Sequence, residues 1–585
     1  MQAKKSLYSF AAASFLCLPG VAQDTRPVEA PDAAPLTAAA STAAVPGPQR
    51  ASVPAAMAVL VPDDATVFAM ARPLAELEQV AASIAADVNP DAAGMVSVDM
   101  LLAMAMPPGF DATAIDRTRP LGVAVGPISL GPEPQVYVLV PTSNPEAIKS
   151  ALPMGGEGFQ TRISEGYLGI TMGETYGAGT GASALLGEVP TGLLAVTVDL
   201  ETILGTMRPV IDSGLMVARM QMETMEEDLA AMGMDSGMDI AGLMDAYFGL
   251  LDGFLDSAVS MGFSLDVDES LVDLRVEYGL AEGSPMSALA HGGGSDLSTM
   301  LPMVGDESFA MLMSGDMVRL MEDTMPFFEA LMGVYPEEAA EGMLGSLDAM
   351  EELYGLFGDS MAVTGDFTGE GMRFAGYYQT DDQAAVVRSY GDLMQQPYWE
   401  ALGMRYVDTK QGRLGDLELT RFTMDFDVEA MLALSGEELG EEELAAMTDM
   451  MRAIYGEQLV MTFTQVADTG VVVIGGDDAF LKASIDRLAE PGRGAADMQR
   501  LSGLAARSKP FLAYRMDMGK LISTVIPAME QSMGLPSTGI GMFEGTSLPL
   551  NFYVGLEERS WTSGMMVDLV QVGDFVAMVE RLSEM

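Results

Sequence analysis

Histidine, cysteine and closely spaced acids are the residues whose types and spacing could carry chemistry in this sequence. The chain contains one histidine, His291, and one cysteine, Cys17. His291 lies in the stretch His-Gly-Gly-Gly-Ser-Asp, where a flexible backbone would not hold a general base at hydrogen-bonding distance. A Ser–His–acid triad is therefore disfavoured. A thiol nucleophile is also disfavoured, because Cys17 lies in the N-terminal stretch that we interpret below as a cleaved signal peptide. We expect that the protein is not an enzyme and that it needs no cofactor.

Acidic residues are abundant, with 84 Asp and Glu against 30 Lys and Arg, and the formal net charge is −54. Two short clusters, Asp266-Val-Asp-Glu and Asp425-Phe-Asp, carry the oxygen ligands that calcium prefers. Neither cluster continues into a full calcium loop with its glycine and distal glutamate, so solvated turn acids are the favoured interpretation. Divalent cations stay open as partners without a defined metal site. A chain this acidic repels nucleic acid, and we expect no nucleic-acid partner.

Methionine is the unusual residue, with 50 copies. Thioethers bind Cu(I), but these methionines are spread over the predicted helices at core spacing and lack histidine company, which favours packing. Methionine is also flexible and polarisable, so a Met-rich helix face can adapt to varied apolar partners. The face that we single out for an apolar ligand lies on two predicted helices and comprises Met216, Met220, Met225, Met244 and Phe248.

A strand followed by a cap and a helix recurs along the chain. An apolar run predicts each strand, and the aspartate after it can accept free backbone N–H groups of the following helix. The four copies begin at Phe68, Leu194, Phe309 and Phe511; the last three end in Asp199, Asp316 and Asp517, and the first has Pro73 instead. We predict that these aspartates are helix N-caps and not ligands.

The remaining patterns predict further strands and helices. A helix is expected from Leu74 to about Val88, and two amphipathic helices over 216–232 and 240–259 are expected to form an antiparallel pair. Strands are expected over 135–140 and 166–171, and alternating strands around 261–278, 360–378, 414–426, 459–474 and 550–569. The fold class that we predict is α+β, with tandem pseudo-repeats of strand–helix and strand–strand–helix units. Curved antiparallel or mixed sheets would carry Met-rich helices largely on one face.

Composition divides the chain into four parts. Lys4 and Lys5, an apolar stretch and small residues before Gln23 predict a cleaved signal peptide over 1–22. An Ala/Pro-rich spacer over 23–57 is expected to be disordered. Two α+β halves follow, over 58–295 and 296–585. No integral membrane segment is expected after cleavage, and the predicted location is the periplasm or the extracellular space.

Several stretches resemble a group of uncharacterised exported bacterial proteins with repeated strand–helix units. The resemblance is carried by Val61-Pro-Asp-Asp-Ala-Thr-Val-Phe-Ala, by Gly470-Val-Val-Val-Ile-Gly-Gly-Asp-Asp-Ala-Phe-Leu-Lys-Ala and by Lys509-Pro-Phe-Leu-Ala-Tyr-Arg-Met-Asp-Met-Gly-Lys-Leu. The group has no established activity, so the resemblance implies an α+β fold and an envelope location and assigns no site.

These observations favour a non-catalytic exported binding protein that holds a lipid or another apolar partner between a sheet and Met-rich helices. The alternative is an acidic structural protein of the envelope or matrix that binds calcium, and an enzyme is the least favoured class.

Overall fold

The structure is a computed structural model that describes most of the chain in discontinuous ranges. The described residues are 50–88, 112–129, 133–152, 158–172, 175–177, 179–231, 240–268, 270–284, 286–287, 297–316, 318–319, 322, 325, 349–368, 371–396, 399, 403–428, 444–445, 448, 452, 455–456, 458–489, 510–524, 547–557 and 559–583. The predicted signal peptide, residues 23–49 of the predicted spacer and His291 lie outside these ranges.

Both helices and strands, the strands paired antiparallel, occur along the described residues, which confirms the α+β fold class. The strands are β1 (Val67–Ala71), β2 (Leu121–Val125), β3 (Val136–Pro141), β4 (Phe159–Ser164), β5 (Tyr167–Met172), β6 (Leu194–Asp199), β7 (Ala258–Asp268), β8 (Leu271–Leu280), β9 (Phe309–Ser314), β10 (Ser360–Thr368), β11 (Gly371–Gln379), β12 (Met404–Leu414), β13 (Leu417–Phe426), β14 (Leu459–Val466), β15 (Thr469–Gly475), β16 (Pro510–Asp517), β17 (Pro549–Glu557) and β18 (Ser560–Asp568). The helices are α1 (Ala55–Ala58), α2 (Leu74–Val88), α3 (Pro145–Ala151), α4 (Leu200–Ala231), α5 (Ile240–Ser257), α6 (Gln383–Met394), α7 (Asp478–Ala489) and α8 (Leu569–Ser583).

Two compact units divide the chain, and each is built from segments that are distant in the sequence. One contains Pro46–Ala218, Leu251–Ala290 and Gly545–Met585, and the other contains Arg219–Leu250 and His291–Glu544. We name them the ten-stranded unit and the eight-stranded unit after the strands that their described residues form. The division falls within α4 and within α5. The predicted halves, 58–295 and 296–585, stay a prediction.

The ten-stranded unit holds one antiparallel sheet in the order β4–β5–β3–β2–β1–β6–β7–β8–β18–β17. One face packs on a core of Phe68, Leu139, Tyr137 and their neighbours. Met57 of α1 is fully buried in this core. Residues 50–57, within the predicted spacer, therefore belong to the folded unit, because the strands need an apolar cover on this face.

The eight-stranded unit also holds one antiparallel sheet, in the order β12–β13–β14–β15–β11–β10–β9–β16. Its largest cluster joins Tyr378, Phe422 and Phe463 of the sheet to Val386 and Leu393 of α6. All strand pairs that the described residues form are antiparallel. Of the two expected sheet types, antiparallel or mixed, these residues form the antiparallel one.

The two sheets share a pairing order and matching loop hydrogen bonds. The series β5–β3–β2–β1–β6 in one corresponds to β15–β11–β10–β9–β16 in the other. The Asp199 amide donates to the Thr66 carbonyl at 2.8 Å, and the Asp517 amide donates to the Ser308 carbonyl at 2.7 Å. Thr142 and Asn144 start α3 as Thr380 and Asp382 start α6. The tandem-repeat interpretation stays a proposal, which superposition of the two units would test.

The predicted N-caps are confirmed by hydrogen bonds from the backbone. The Arg319 amide donates to Asp316 at 2.9 Å, and the Lys520 amide donates to Asp517 at 3.2 Å. Asp199 accepts from both the amide and the hydroxyl of Thr202, at 2.9 and 2.8 Å. Each carboxylate thus satisfies an N–H group that the first helical turn leaves free.

Candidate functional site

An apolar surface covers one face of four adjacent strands in the ten-stranded unit. The register pairs Val138 of β3 with Val123 of β2, Val123 with Ala69 of β1, and Ala69 with Val196 of β6. Directly paired residues of antiparallel strands point to the same side of the sheet. We name this surface the valine face, and its members are Val136, Val138, Val140, Leu121, Val123, Val125, Val67, Ala69, Ala71, Leu194, Val196 and Val198.

The valine face is only half covered, whereas the opposite face of the same strands is sealed. Val136 is 47% exposed, Val138 41%, and Val123 and Leu194 36% each. On the opposite face Phe68 and Leu139 are fully buried. A strand that is apolar on both sides is typical of a sheet covered on both faces. Here the second cover is incomplete.

The segments that cover the valine face at one end, which include α2 and α3, stop partway along β3. Val140 is buried in a cluster with Leu74 of α2, Ile148 of α3 and Leu168 of β5. Two residues earlier, Val138 is outside that cluster and is exposed. The surface therefore changes from closed to open along a single strand, and Val123, Val136 and Val138 lie at the open end.

The valine face offers apolar contact and no hydrogen bonds. Each of β1, β2, β3 and β6 has a paired strand on both sides, so its backbone groups are used in the sheet. All twelve side chains are hydrocarbon. The charged residue next to it, Arg72, is engaged by Glu76 at 3.8 Å, by Asp266 at 3.7 Å and by the Gly192 carbonyl at 3.1 Å. This surface can hold an apolar group but cannot orient a reacting polar one.

The residues predicted for an apolar ligand are not brought together in one unit. Met216 lies in the ten-stranded unit, and the other four lie in the eight-stranded unit. Met216 and Met220 are 56% and 49% exposed on α4, so neither is packed in a closed core. Phe248 of α5 is buried, with the Arg219 guanidinium 5.3 Å from its ring centre. The side chains of Met225 and Met244 lie outside the described residues.

Helices α4 and α5 do form the predicted antiparallel pair. Arg208, early in α4, forms ion pairs with Asp252 at 3.2 Å and Asp256 at 2.9 Å, both late in α5. Helix α4 begins at Leu200, directly after the Asp199 cap, so the helix expected after Asp199 and the one expected over 216–232 form a single continuous helix.

The acid clusters weighed for calcium are engaged with protein groups. Asp425 accepts from Arg405 at 3.1 Å and from Gln458 at 2.6 Å. Asp266 accepts from the Val267 amide at 3.1 Å and lies 3.7 Å from Arg72. Within the described ranges, no group of three or more His, Cys, Asp or Glu could hold a metal ion.

Two buried polar clusters were not found from the sequence. In the eight-stranded unit Glu307 accepts from Arg487, from the Thr364 hydroxyl at 2.8 Å and from the Gly305 amide at 2.9 Å. Burial raises the pKa of Glu307, but the hydrogen bond and charge of Arg487 outweigh it, so the net pKa lies below its ordinary value. The negative charge of Glu307 is paired with the positive charge of Arg487, which is typical of a structural ion pair.

In the ten-stranded unit the second cluster follows one face of β8. Arg275 donates to the Tyr553 hydroxyl at 2.9 Å and to Asp273 at 2.8 Å, and Arg50 donates to Glu277 at 2.9 Å through one of its nitrogens. Burial is the largest cause that raises the pKa of the Tyr553 hydroxyl. The period-two pattern Asp273-x-Arg275-x-Glu277 was the available signal, because a strand places these residues on one face.

Comparisons with known proteins give no family. No family model and no curated protein matches the chain. Among solved structures, crystal form III of TP0453 aligns over 47% of this chain and 96% of its own, with 9% identity and a TM-score of 0.21. Crystal form I of TP0453 aligns over 49% and 98%, with 7% identity and a TM-score of 0.20. Likeness at this level carries no argument about fold or function.

In the part of the chain that the structure describes, none of the helices is long and apolar enough to cross a bilayer.

Proposed function

We propose that this is a non-catalytic exported protein that binds the acyl chain of a lipid on the valine face. The observation that carries the proposal is the exposure of Val136, Val138, Val123 and Leu194 on one side of a sheet whose other side is sealed. Contiguous exposed apolar surface is uncommon on soluble proteins and is typical of interaction sites.

An acyl chain suits this surface better than a peptide does. A peptide brings backbone N–H and C=O groups, which lose free energy when they are buried without partners. The strands of the valine face use their own backbone groups in the sheet and have no polar side chain on this face. A hydrocarbon chain needs only dispersion contact and removal from water.

The charge of the protein favours a lipid without an anionic headgroup. With a formal net charge of −54, the protein repels carboxylates and phosphates at long range. We therefore expect monoacylglycerol-like lipids to bind better than fatty acids with the same chain.

The area of contact sets a modest affinity. Removing on the order of 400 Å² of apolar surface from water, counting ligand and protein together, contributes about 10 kcal/mol. Lost translational and rotational freedom offsets at least about 4 kcal/mol of this. The remainder of at most about 6 kcal/mol corresponds to dissociation constants of tens of micromolar or weaker.

The predicted signal peptide bears on the location of the protein, and the two acid clusters bear on the alternative class of protein. Residues 1–22 have the pattern of a signal peptide, which supports a periplasmic or extracellular location. The alternative of a calcium-binding structural protein is not favoured by any contact of Asp266 or Asp425, since both carboxylates are engaged by protein donors. Calcium-dependent assembly of the purified chain would support that alternative.

Titration with a pyrene-labelled monoacylglycerol tests the proposal on the mature chain. Val138→Lys should weaken binding about tenfold, because a charged amine must be desolvated under the acyl chain. The fold should survive, since an exposed lysine can reach water. Val407→Lys is the matched control, because Val407 is 42% exposed on β12 of the eight-stranded unit. Absence of saturable binding, or equal affinities for the two variants, would refute the proposal.

A further variant separates the valine face from the predicted helix face. Met216→Lys with Met220→Lys changes two side chains that are equally open to water on α4. If this double variant loses the lipid while Val138→Lys keeps it, the acyl chain lies on the helix and not on the sheet.

A further inference from the structure

Met172 is the most exposed large hydrophobic side chain in the described part of the chain, at 69%. It is the last residue of β5 and is paired with Phe159 of β4. The β3–β5 register pairs Tyr137 with Thr171 and Val138 with Ile170, so its next position places Met172 beside Val136. A thioether open to water therefore extends the valine face at its open end.

From this position we propose that reversible oxidation of Met172 to the sulfoxide controls occupancy of the valine face. The inference rests on the proposed function, because it assigns a regulation to the same surface. The oxidant is a peroxide of the hydrogen peroxide class, which an exported protein meets without cellular reductants.

The chemistry requires no catalytic group from the protein. A lone pair of the Met172 sulfur attacks one peroxide oxygen, the O–O bond breaks, and a sulfur–oxygen bond forms. The sulfur loses two electrons, and the departing hydroxide takes up the proton of the transferred oxygen to give water. The products are one sulfoxide and one water for each peroxide consumed.

Burial makes the reaction selective among many methionines. Met57 and Met566 are fully buried, and Met424 and Met461 are nearly so. Their side chains are shielded by core packing, whereas Met172, Met216 and Met220 are exposed. Oxidation follows exposure for thioethers, so we expect Met172 to react among the first.

The sulfoxide changes the surface from apolar to polar. A sulfoxide carries a strong dipole and two acceptor lone pairs, which water solvates well and an acyl chain does not. Covering it would bury an unsatisfied acceptor beside Val136. We expect the oxidised protein to bind the neutral lipid roughly fivefold more weakly, and a methionine sulfoxide reductase with a thiol reductant to restore binding.

The experiment treats the mature chain with hydrogen peroxide, maps sulfoxides by peptide mass spectrometry and titrates the pyrene-labelled monoacylglycerol before and after. The readout is the ratio of the two affinities within each variant. Parent protein and the control Met216→Leu with Met220→Leu should both lose affinity on oxidation. Met172→Leu should show a ratio near one, because leucine cannot be oxidised.

The outcomes distinguish this inference from the proposed function. If the untreated parent does not bind the lipid, the proposed function fails and the regulation falls with it. If the untreated parent binds, but Met172 stays reduced while buried methionines react, the inference alone is overturned. Equal loss of affinity in Met172→Leu and the parent also overturns it.

Discussion

The row Val138–Val123–Ala69–Val196 of the ten-stranded unit has a counterpart in the eight-stranded unit. Following the shared pairing order, it is Gly376–Val363–Met311–Tyr514. The counterpart is better covered: Met311 is buried, so is Tyr378 on the same side of β11, and Val363 and Tyr514 are half-buried. The two sheets have the same connections in this region, yet one covers this face and the other leaves it half open.

Side-chain size and the covering segments explain the difference. The closed face carries aromatic residues, with Phe357 packed 4.5 Å from the ring centre of Tyr378 and Tyr390 packed 4.8 Å from that of Phe463. The helical segment 349–354 contributes the fully buried Leu353 to the same cluster. The valine face has short branched side chains and no aromatic residue. Strand order therefore does not decide whether a sheet face is a core or a binding surface; the cover does.

The largest expected effect is a truncation on the closed face. Phe463→Ala should lower the free energy of unfolding by about 4 kcal/mol, because it removes a buried ring and leaves a cavity. Val138→Ala should cost less than about 1 kcal/mol, since much of that side chain already meets water. Urea unfolding can follow each unit separately, because Trp399 lies in the eight-stranded unit and Trp561 in the ten-stranded unit. Equal losses would show that the valine face is as closed as its counterpart.

The next effect concerns the buried pair Glu307–Arg487, at a position where the ten-stranded unit has an alanine. The residue before Ser308 is Glu307, whereas the residue before the corresponding Thr66 is Ala65. Glu307→Gln should destabilise the eight-stranded unit by about 3 kcal/mol at neutral pH, because Arg487 loses its buried counter-charge. The exposed pair Lys482–Asp486 on the same helix as Arg487 is the control, and Lys482→Gln should change little.

The acid dependence of this pair has a defined sign. The pKa of Glu307 is lowered in the folded protein from an ordinary value of 4.5. Its stabilisation is therefore fully present above pH 4.5 and is lost as pH falls through the folded pKa. The difference between parent and Glu307→Gln, measured on the Trp399 signal, should shrink over that range. A difference that stays constant to low pH would contradict the assignment.

The smallest effect tests the caps that the two units share. Asp199→Ala and Asp517→Ala should each lower stability by about 1 kcal/mol, because a helical N–H group loses its acceptor. Asp199→Asn should retain most of the stability, since an amide oxygen also accepts this bond. Lipid binding should be unchanged in all three variants. Selective loss of the ligand at unchanged stability would mean that the aspartates are a site rather than caps.

Local signals in the sequence predicted much of the architecture. The helix expected from Leu74 to about Val88 is observed over Leu74–Val88, and Asp316 and Asp517 cap helices as expected. These features depend on residues within a few positions of one another, where spacing and hydrogen-bonding capacity suffice. Three strands were missed: β2, β4 and β12. The edge strand β12 is largely polar and mostly exposed, so it has no apolar run to reveal it.

One hairpin turn was missed because it lies at the start of a stretch predicted to be a single strand. Residues 414–426 were expected to form a single strand, but Leu414 ends β12 and the strand β13 begins at Leu417. Gly415 between them has a φ of 62°, which glycine adopts without strain. The glycine in the sequence was therefore a signal for the turn. The pairing of β12 with β13 on the two sides of this turn is seen only in the structure.

The sequence by itself determined an α+β chain of apolar strands and capped helices, because those elements follow from neighbours along the backbone. It could not decide which apolar side chains are covered. Val138 and Val140 belong to one continuous apolar run, yet only Val140 is buried. Met220 and Met461 are the same residue type, yet one is half exposed and the other is packed in a core. Burial depends on what lies opposite a side chain, and that is supplied by segments far away in the sequence.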